Sequence, residues 1–190
     1  MASLPLEILV RRLADPSRKP RPLPAEGLAR AAVLVPLLTA GAEPRLLFTR
    51  RTDTVETHKG QISFPGGVED PGDATPEATA LREAEEEVGI VPGDVATLGR
   101  LDDFRTPTGF LVTPVVGLLS REPALRPNRD EVAEVFTVPL AFFLDPGNGW
   151  SEQRTVQGRA YDVWFYRHGD NVIWGVTGGI IRSLVSALSP

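Results

Sequence analysis

A short acidic segment of the chain contains four glutamates between positions 83 and 87. Three of them, Glu83, Glu86 and Glu87, are spaced i, i+3 and i+4, which places their side chains on one face of an α-helix. Carboxylates at this spacing repel one another unless solvent or a cation compensates their charge. Carboxylate oxygens are also the ligands that Mg2+ and Mn2+ prefer. The spacing therefore predicts either a solvated helix face or a metal site.

The helix that carries these glutamates has marked ends. Thr75 is suited to cap its N-terminus, Pro76 to occupy its first position, and Gly89 to adopt the left-handed conformation that ends many helices. At 3.6 residues per turn, the opposite side of the helix carries Leu81, Ala84, Glu85 and Val88. We expect that side to pack against the protein, with Glu85 in a structural role.

A pair of glycines, Gly66 and Gly67, precedes the helix and follows a polar loop that runs from Arg50 to Ser63. Because glycine has no side chain, it allows the backbone to approach a ligand closely. This arrangement predicts that the loop and the glycine pair contact a ligand beside the acidic helix.

The composition narrows the class of protein. A chain of 190 residues can bury one substantial core, so we expect a single domain over residues 1–190, with an N-terminal helix and connector over 1–28. A net charge of −5 argues against a nucleic-acid or membrane partner, since either would favour a basic face. The chain has no cysteine, which excludes disulfides, thiolate zinc sites and cysteine nucleophiles. The short apolar start is unlike a secretory signal, so we expect a cytoplasmic protein.

Apolar periodicity and turn residues predict the remaining elements. Predicted helices cover residues 4–14, 139–144 and 175–188, and predicted strands cover 31–38, 45–49, 95–104, 110–119, 131–138, 154–157, 161–167 and 172–174. Strands that surround two substantial helices favour an α/β/α sandwich built around a central mixed sheet.

The acidic segment resembles the Nudix box, G-x5-E-x7-R-E-U-x-E-E-x-G-U, in which U is a bulky aliphatic residue. Residues Arg82 to Ile90 match its second half, with the small Ala84 at the first U position. The first half departs from the pattern. Six positions after Gly67 the chain has Asp73 instead of glutamate, and eight residues instead of seven separate it from Arg82, so the loop is one residue longer.

The same extended spacing resembles the coenzyme A pyrophosphatase branch of the Nudix hydrolases, whose signature is LLTxR[SA]xxxRxxxGxxxFPGG. The matching positions are Leu47, Thr49, Arg51, Gly60 and Phe64 to Gly67, and His58 and Gln61 stand where relatives often have HxGQ. The departures are Phe48, Thr52 and Glu56. Glu56 replaces an arginine beside a phosphate-rich ligand, which leaves the substrate preference open. Downstream, Asn128, Asp130 to Val132, Val138 to Leu140 and Ile173 to Gly175 also resemble the branch.

The resemblance implies a Nudix-type fold and hydrolysis of the diphosphate of coenzyme A or a derivative. The products would be 3',5'-ADP and 4'-phosphopantetheine or its acyl form. It also implies Mg2+ or Mn2+ as cofactor, held by Glu83, Glu86, Glu87 and the carbonyl of Gly67. Between positions 69 and 94 there are nine acidic residues and one base, Arg82, so metal ions would be needed to bridge to a diphosphate. A broader nucleoside diphosphate pyrophosphatase and a nucleotide-binding domain without activity are the alternatives.

The remaining roles follow from chemistry and from the same resemblance. Arg82 is expected to orient a glutamate of the catalytic group, and Glu86 or Glu131 to act as the general base, although Glu131 also suits an exposed strand edge. Arg51 is suited to contact phosphate through its guanidinium.

The other predicted substrate contacts are His58, Gln61 and Gly66, of which His58 suits a purely structural role equally well. The sequence leaves the oligomeric state open.

Overall fold

The computed structural model describes residues 5–52, 60–156 and 158–189. Its helices are α1 (Leu6–Leu13), α2 (Pro76–Val88), α3 (Leu140–Leu144) and α4 (Gly175–Leu188). Its strands are β1 (Ala29–Leu38), β2 (Arg45–Arg51), β3 (Ile62–Ser63), β4 (Gly66–Val68), β5 (Ala96–Arg100), β6 (Phe104–Arg105), β7 (Phe110–Leu119), β8 (Val132–Pro139), β9 (Gly149–Val156), β10 (Arg159–His168) and β11 (Asn171–Trp174).

A mixed sheet forms the centre of the fold, in the order β3-β2-β1-β7-β5. Strands β1 and β7 run parallel along their whole length, from the Ala29–Phe110 pair to the Leu38–Leu119 pair. The other pairings in this sheet are antiparallel, including β4 and β2 with β1, β8 with β2, and β5 and β6 with β7. The prediction of a central mixed sheet is therefore confirmed.

The two faces of this sheet carry separate cores because side chains alternate along a strand. On β1, Leu34 and Leu38 point to the face covered by α2, whereas Val35 and Leu37 point to the face covered by α1 and α4. Helices thus flank the sheet on both sides, as the sequence predicted.

Residues 95–104, predicted as one strand, form two. The register between β5 and β7 shifts between Thr97 and Gly99, and Gly99 has a φ of 142°, which favours glycine. Strand β5 ends at Arg100, and β6 begins at Phe104.

The predicted last hairpin is longer than expected and forms a second, three-stranded sheet in the order β11-β10-β9. This sheet packs beside α4 and adjoins β3 through its edge strand β11. Across the described ranges, no helix is long and apolar enough to cross a membrane.

Candidate active site

Helix α2 begins and ends where the sequence predicts. The Thr75 hydroxyl accepts a hydrogen bond from the Ala78 amide at 3.2 Å, and Gly89 ends the helix with a φ of 76°. Glu77 in the first turn makes a two-pronged ion pair with Arg100 on β5, with both N–O distances at 2.6 Å. The helix is therefore fixed to the sheet near its N-terminus, which sets the position of its acidic turns.

One prediction about the faces of α2 is wrong. Glu85, expected on the packed side, is exposed, whereas Glu87 is buried with 6% of its surface accessible. The loop between β7 and β8 covers the backbone at this end of the helix, since the Asn128 amide donates to the Glu87 carbonyl at 2.8 Å and the Arg126 amide to the Val88 carbonyl at 2.8 Å. The Glu87 carboxylate is buried next to β4, where it accepts a hydrogen bond from the Gly66 amide. Helix periodicity does not contain such tertiary contacts.

The two glycines place backbone directly against the acidic helix. They lie on β4, where Gly66 pairs with Val33 and Gly67 with Ala32. A Cβ on Gly66 would lie 2.4 Å from the Ala32 carbonyl oxygen, so only glycine fits there. The same close packing brings the Gly66 amide within 3.2 Å of Glu87 Oε2, to which it donates a hydrogen bond.

Gly67 leaves room for the carboxyl group of Glu83. A Cβ at Gly67 would lie 2.4 Å from Glu83 Cδ and 2.5 Å from both of its carboxylate oxygens. The backbone of Gly67 and the carboxylate of Glu83 are therefore neighbours, as a shared ligand set would require.

Arg82 is the hub of hydrogen bonds around these carboxylates. Its guanidinium donates to Asp73 Oδ2 at 2.9 Å, to Glu83 Oε1 at 2.9 Å and to Glu86 Oε2 at 3.1 Å. A further bond of 3.1 Å reaches the Val68 carbonyl. Hydrogen bonding to Asp73 raises the pKa of Arg82, and the bond from Arg82 lowers the pKa of Asp73 to about 2. Arg82 thus contacts two of the predicted ligands and ties both to the preceding loop.

Asp73 was recognised in the sequence only as a departure from the Nudix pattern. In the fold, the residue in the lengthened loop still reaches Arg82 with both carboxylate oxygens. Before Asp73 the chain makes a turn in which the Asp73 amide donates to the Asp70 carbonyl at 2.9 Å. A spacing one residue longer than the pattern was the signal available in the sequence, whereas the contact between Asp73 and Arg82 is visible only in the fold.

Arg51 and Glu131 converge on Glu87 from two other strands and loops. Arg51 Nη1 lies 4.0 Å from Glu87 Oε1, and the Arg51 Nε atom is buried without a hydrogen-bond partner in the described part of the chain. Glu131, held by the Asn128 side chain at 3.2 Å, is close enough to act on the charges of both Glu87 and Glu83. The structure therefore gathers these predicted site residues around the acidic turn.

Gln61 lies at the margin of this centre. Its carbonyl accepts from the Arg51 amide at 3.0 Å, and its side-chain Nε2 faces Gly175 at the start of α4. His58 and Glu56, which the sequence singled out, lie outside the described residues.

Burial and mutual repulsion disfavour the charged form of two carboxylates at this centre, Glu83 and Glu87. Burial raises the pKa of Glu87 to about 7, and the carboxylates of Glu131 and Glu83 add to the rise. Burial also raises the pKa of Glu83, with further contributions from Glu86 and Glu131. The Gly66 amide and the Arg51 guanidinium lower the pKa of Glu87 without cancelling the effect of burial. A cation at this point would relieve both desolvation and repulsion.

The donor set fits a hard divalent cation. Glu83, Glu86, Glu87 and the Gly67 carbonyl offer only oxygen, which suits Mg2+ or Mn2+. The described residues contain no group of three or more His, Cys, Asp or Glu side chains already arranged to hold an ion. The roles of these residues as ligands stay a prediction.

Comparison with solved structures places this fold among known ones. A C. elegans Ap4A hydrolase in a binary complex aligns with a TM-score of 0.51 at 18% identity, covering 58% of this chain and 80% of that one. A Nudix hydrolase from M. smegmatis, RenU, aligns with a TM-score of 0.50 at 23% identity, covering 60% and 73%. At these identities the likeness concerns the fold alone, and the fold is that of the Nudix hydrolases.

Sequence comparison identifies the family. Residues 28–157 match the model of the NUDIX domain. The uncharacterized Nudix hydrolase NudL of Photorhabdus laumondii is 45% identical over 154 residues, covering 81% of this chain and 82% of the relative. NudL of Escherichia coli K12 is 42% identical over 155 residues, covering 82% and 80%. The chain belongs to the Nudix family. Nudix hydrolases as a class use divalent metal ions, in agreement with the oxygen donors of α2.

Proposed function

We propose that this Nudix hydrolase cleaves the diphosphate of coenzyme A or its derivatives, giving 3',5'-ADP and 4'-phosphopantetheine or its acyl form. The observation that carries the proposal is the approach of Arg51 Nη1 to Glu87 Oε1 at 4.0 Å. Arg51 belongs to the coenzyme A branch signature on β2, and Glu87 to the acidic helix. The proximity therefore joins the substrate signature to the carboxylate centre.

Glu83, Glu86, Glu87 and the Gly67 carbonyl would hold one or more Mg2+ or Mn2+ ions. When bound, such ions neutralise charge on the diphosphate and on the transition state of phosphoryl transfer. Arg82 positions Glu83 and Glu86 through its two Nη1 hydrogen bonds and does not itself contact substrate.

The general base would be Glu131 or Glu86, and the structure favours Glu131. Its carboxylate acts on the charges of both Glu83 and Glu87, which supports a role beside the proposed ligands. Glu86 is engaged by Arg82 and has 59% of its side chain exposed. A carboxylate at the Glu131 position can accept a proton from water as the water attacks phosphorus.

Substrate contacts would come from the loop that precedes α2. Arg51 has a buried Nε without a partner in the described residues, so a phosphate oxygen would satisfy its guanidinium. Gln61 and Gly66 border the same point, and His58, outside the described residues, would be a further contact from the segment between Arg51 and Gln61.

Product analysis tests the proposal. Purified protein is incubated with Mg2+ and coenzyme A, and the products are separated by chromatography. We expect 3',5'-ADP and 4'-phosphopantetheine, and Arg51→Ala should raise the KM more than it lowers kcat. Intact coenzyme A beside rapid turnover of another nucleoside diphosphate derivative would reject the substrate.

A second candidate is a broader pyrophosphatase of nucleoside diphosphate derivatives. Glu56, which stands where the branch signature has arginine, favours this reading because it removes a positive charge from the substrate loop. A panel of such derivatives beside coenzyme A, compared by kcat/KM, separates the two. A nucleotide-binding domain without hydrolysis is the third, and failure to cleave any of the panel with retained nucleotide affinity would support it.

A further inference from the structure

Three aromatic side chains form a row across the three-stranded sheet. Trp150 on β9 and Trp174 on β11 are both direct cross-strand partners of Phe165 on β10. The Trp150 and Phe165 ring centroids are 5.4 Å apart with planes 14° apart, and those of Phe165 and Trp174 are 6.0 Å apart with planes 8° apart. We call these three side chains the aromatic row.

The aromatic row is not part of the protein core. Its neighbours Tyr166 and Ile173 point to the opposite face of the sheet and are buried there. In contrast, Trp150 is 37% exposed and Trp174 is 47% exposed. Large aromatic rings that stack in the open are a common feature of surfaces that bind a ligand or a partner.

One end of the aromatic row leads to the acidic centre. Trp174 lies on the edge strand that adjoins β3 and is followed by Gly175, where a Cβ would lie 3.9 Å from Gln61 Nε2. Thr177 secures this junction by donating to the Ile62 carbonyl at 3.1 Å. Gln61 in turn is hydrogen-bonded to Arg51, the residue beside Glu87. Trp174 is therefore the ring nearest to the proposed diphosphate site along this series of contacts.

We propose that Trp174 stacks against the nucleobase of a nucleoside diphosphate substrate, which extends the aromatic row by one ring. This inference rests on the function proposed above and adds where the base lies. Every base has a flat π face, and stacking on an aromatic ring is a general means of holding one. The Arg154 guanidinium, 6.0 Å from the centre of Phe165, supplies positive charge next to the row.

A second copy of the chain is a less suitable occupant. The aromatic row has one residue on each of the three strands and is therefore narrow along the strand direction. On either side of it, the same outer face carries the charged residues Glu152, Arg154 and Arg167. Stable protein interfaces bury about 800 Å² on each partner, and their centres are depleted of charge. A narrow stack with charged surroundings matches a small planar group better than a protein surface.

Tryptophan fluorescence gives a direct test, because two of the three tryptophans of the chain belong to the aromatic row. The probes are AMP, which has a base but no diphosphate bond to cut, and inorganic phosphate, which has no base. We expect AMP to quench emission in a saturable manner and phosphate to have little effect. Quenching that is equal for both probes would count against stacking.

Variants locate the binding to Trp174. By calorimetry, Trp174→Ala should weaken AMP binding about tenfold and Trp174→Phe should restore most of the loss. Tyr161→Ala is the control, because Tyr161 is an aromatic residue with 42% exposure on the same outer face of β10, outside the row. It should bind AMP as the wild type does. Circular dichroism checks that each variant folds.

Kinetics separate this inference from the proposed function. With the nucleoside diphosphate substrate that the wild type cleaves best, Trp174→Ala should raise the KM about tenfold with little change in kcat. Cleavage of coenzyme A with an unchanged KM would overturn the stacking role and leave the proposed function in place. If Trp174→Ala loses AMP affinity but the wild type does not cleave coenzyme A, the stacking role stands and the proposed coenzyme A function fails. Sedimentation measures the molecular mass of the particle in solution. If Trp174→Ala changes this mass but leaves AMP affinity unchanged, the aromatic row is a contact between two copies of the chain and the inference is wrong.

Discussion

A Cβ on Gly67 would lie 2.4 Å from the carboxyl carbon of Glu83, so the absence of a side chain at one residue sets the position of the other. Gly67→Ala should push the Glu83 carboxylate away from its place beside the strand. A displacement of about 1 Å costs on the order of 100-fold in catalytic rate. We expect kcat to fall by about that factor, measured with the best diphosphate substrate at saturating Mg2+.

Gly72→Ala is the matched control for Gly67→Ala. Gly72 lies in the loop before the same helix, and a Cβ there meets no atom within 4 Å. The control should keep wild-type kcat. Equal activity in the two variants would mean that Glu83 does not depend on the space at Gly67.

Asp73 is predicted to hold Arg82 in place despite the longer loop. Asp73→Asn removes the charge that Arg82 contacts at 2.9 Å, so Arg82 should position Glu83 and Glu86 less well. We expect kcat to fall about 10- to 100-fold, as for other residues that orient a metal ligand. Steady-state kinetics with varied Mg2+ would show the loss together with a higher Mg2+ requirement.

Asp70→Asn serves as the control for this contact. The Asp70 carboxylate is 67% exposed and lies 3.7 Å from Arg82, too far for a hydrogen bond. The pKa of Asp73 is lowered to about 2 from 3.8, so its stabilising effect is present above pH 3.8 and is lost as the pH falls towards 2. Thermal unfolding should therefore show a lower Tm for Asp73→Asn than for Asp70→Asn at pH 7, with the difference shrinking below pH 4.

Glu87 should destabilise the metal-free fold at high pH. Its pKa is raised from 4.5 to about 7 by burial, so its stabilising effect is complete below about pH 4.5 and is lost as the pH rises through 7. Glu87→Gln resembles the protonated form at every pH. By urea unfolding without metal, we expect the free energy of unfolding of the variant to exceed that of the wild type at pH 8 by up to about 3 kcal/mol, with the difference disappearing below about pH 4.5.

The same variant should be inactive, since Glu87 is a proposed metal ligand. Glu85→Gln removes an exposed carboxylate from the same helix and is the control for both measurements. It should follow the wild type in unfolding at both pH values and in hydrolysis. Full activity of Glu87→Gln would refute the assignment of Glu87 as a ligand.

Glu131→Gln tests the general base. If Glu131 accepts the proton from the attacking water, kcat should fall about 100- to 10,000-fold. Mg2+ affinity, measured by calorimetry, should change much less. Glu134→Gln, which removes an exposed carboxylate from β8 that is paired with Arg50 on β2, should keep both properties. A larger loss in Glu86→Gln than in Glu131→Gln would transfer the role to Glu86.

Local sequence signals were sufficient for much of the fold. The bounds of α2 follow from Thr75, Pro76 and Gly89, because capping and left-handed ends depend on neighbouring residues alone. The bounds of α4, predicted and found over residues 175–188, follow from the apolar periodicity of the segment. The three candidate ligands Glu83, Glu86 and Glu87 could likewise be predicted, because their spacing within one helix can be read directly from the sequence.

Tertiary structure decided which residues meet and which carboxylates are buried. Arg51, Glu131 and Glu87 are far apart in sequence and come together only because β2, β8 and α2 pack in one order and register. Helix periodicity put Glu85 on the packed side, whereas the fold leaves Glu85 exposed and buries Glu87. The sequence by itself determined the kind of ligand atoms, because residue types fix the chemistry of their side chains. The charge state of these carboxylates and the residues around them depend on contacts that only the folded chain makes.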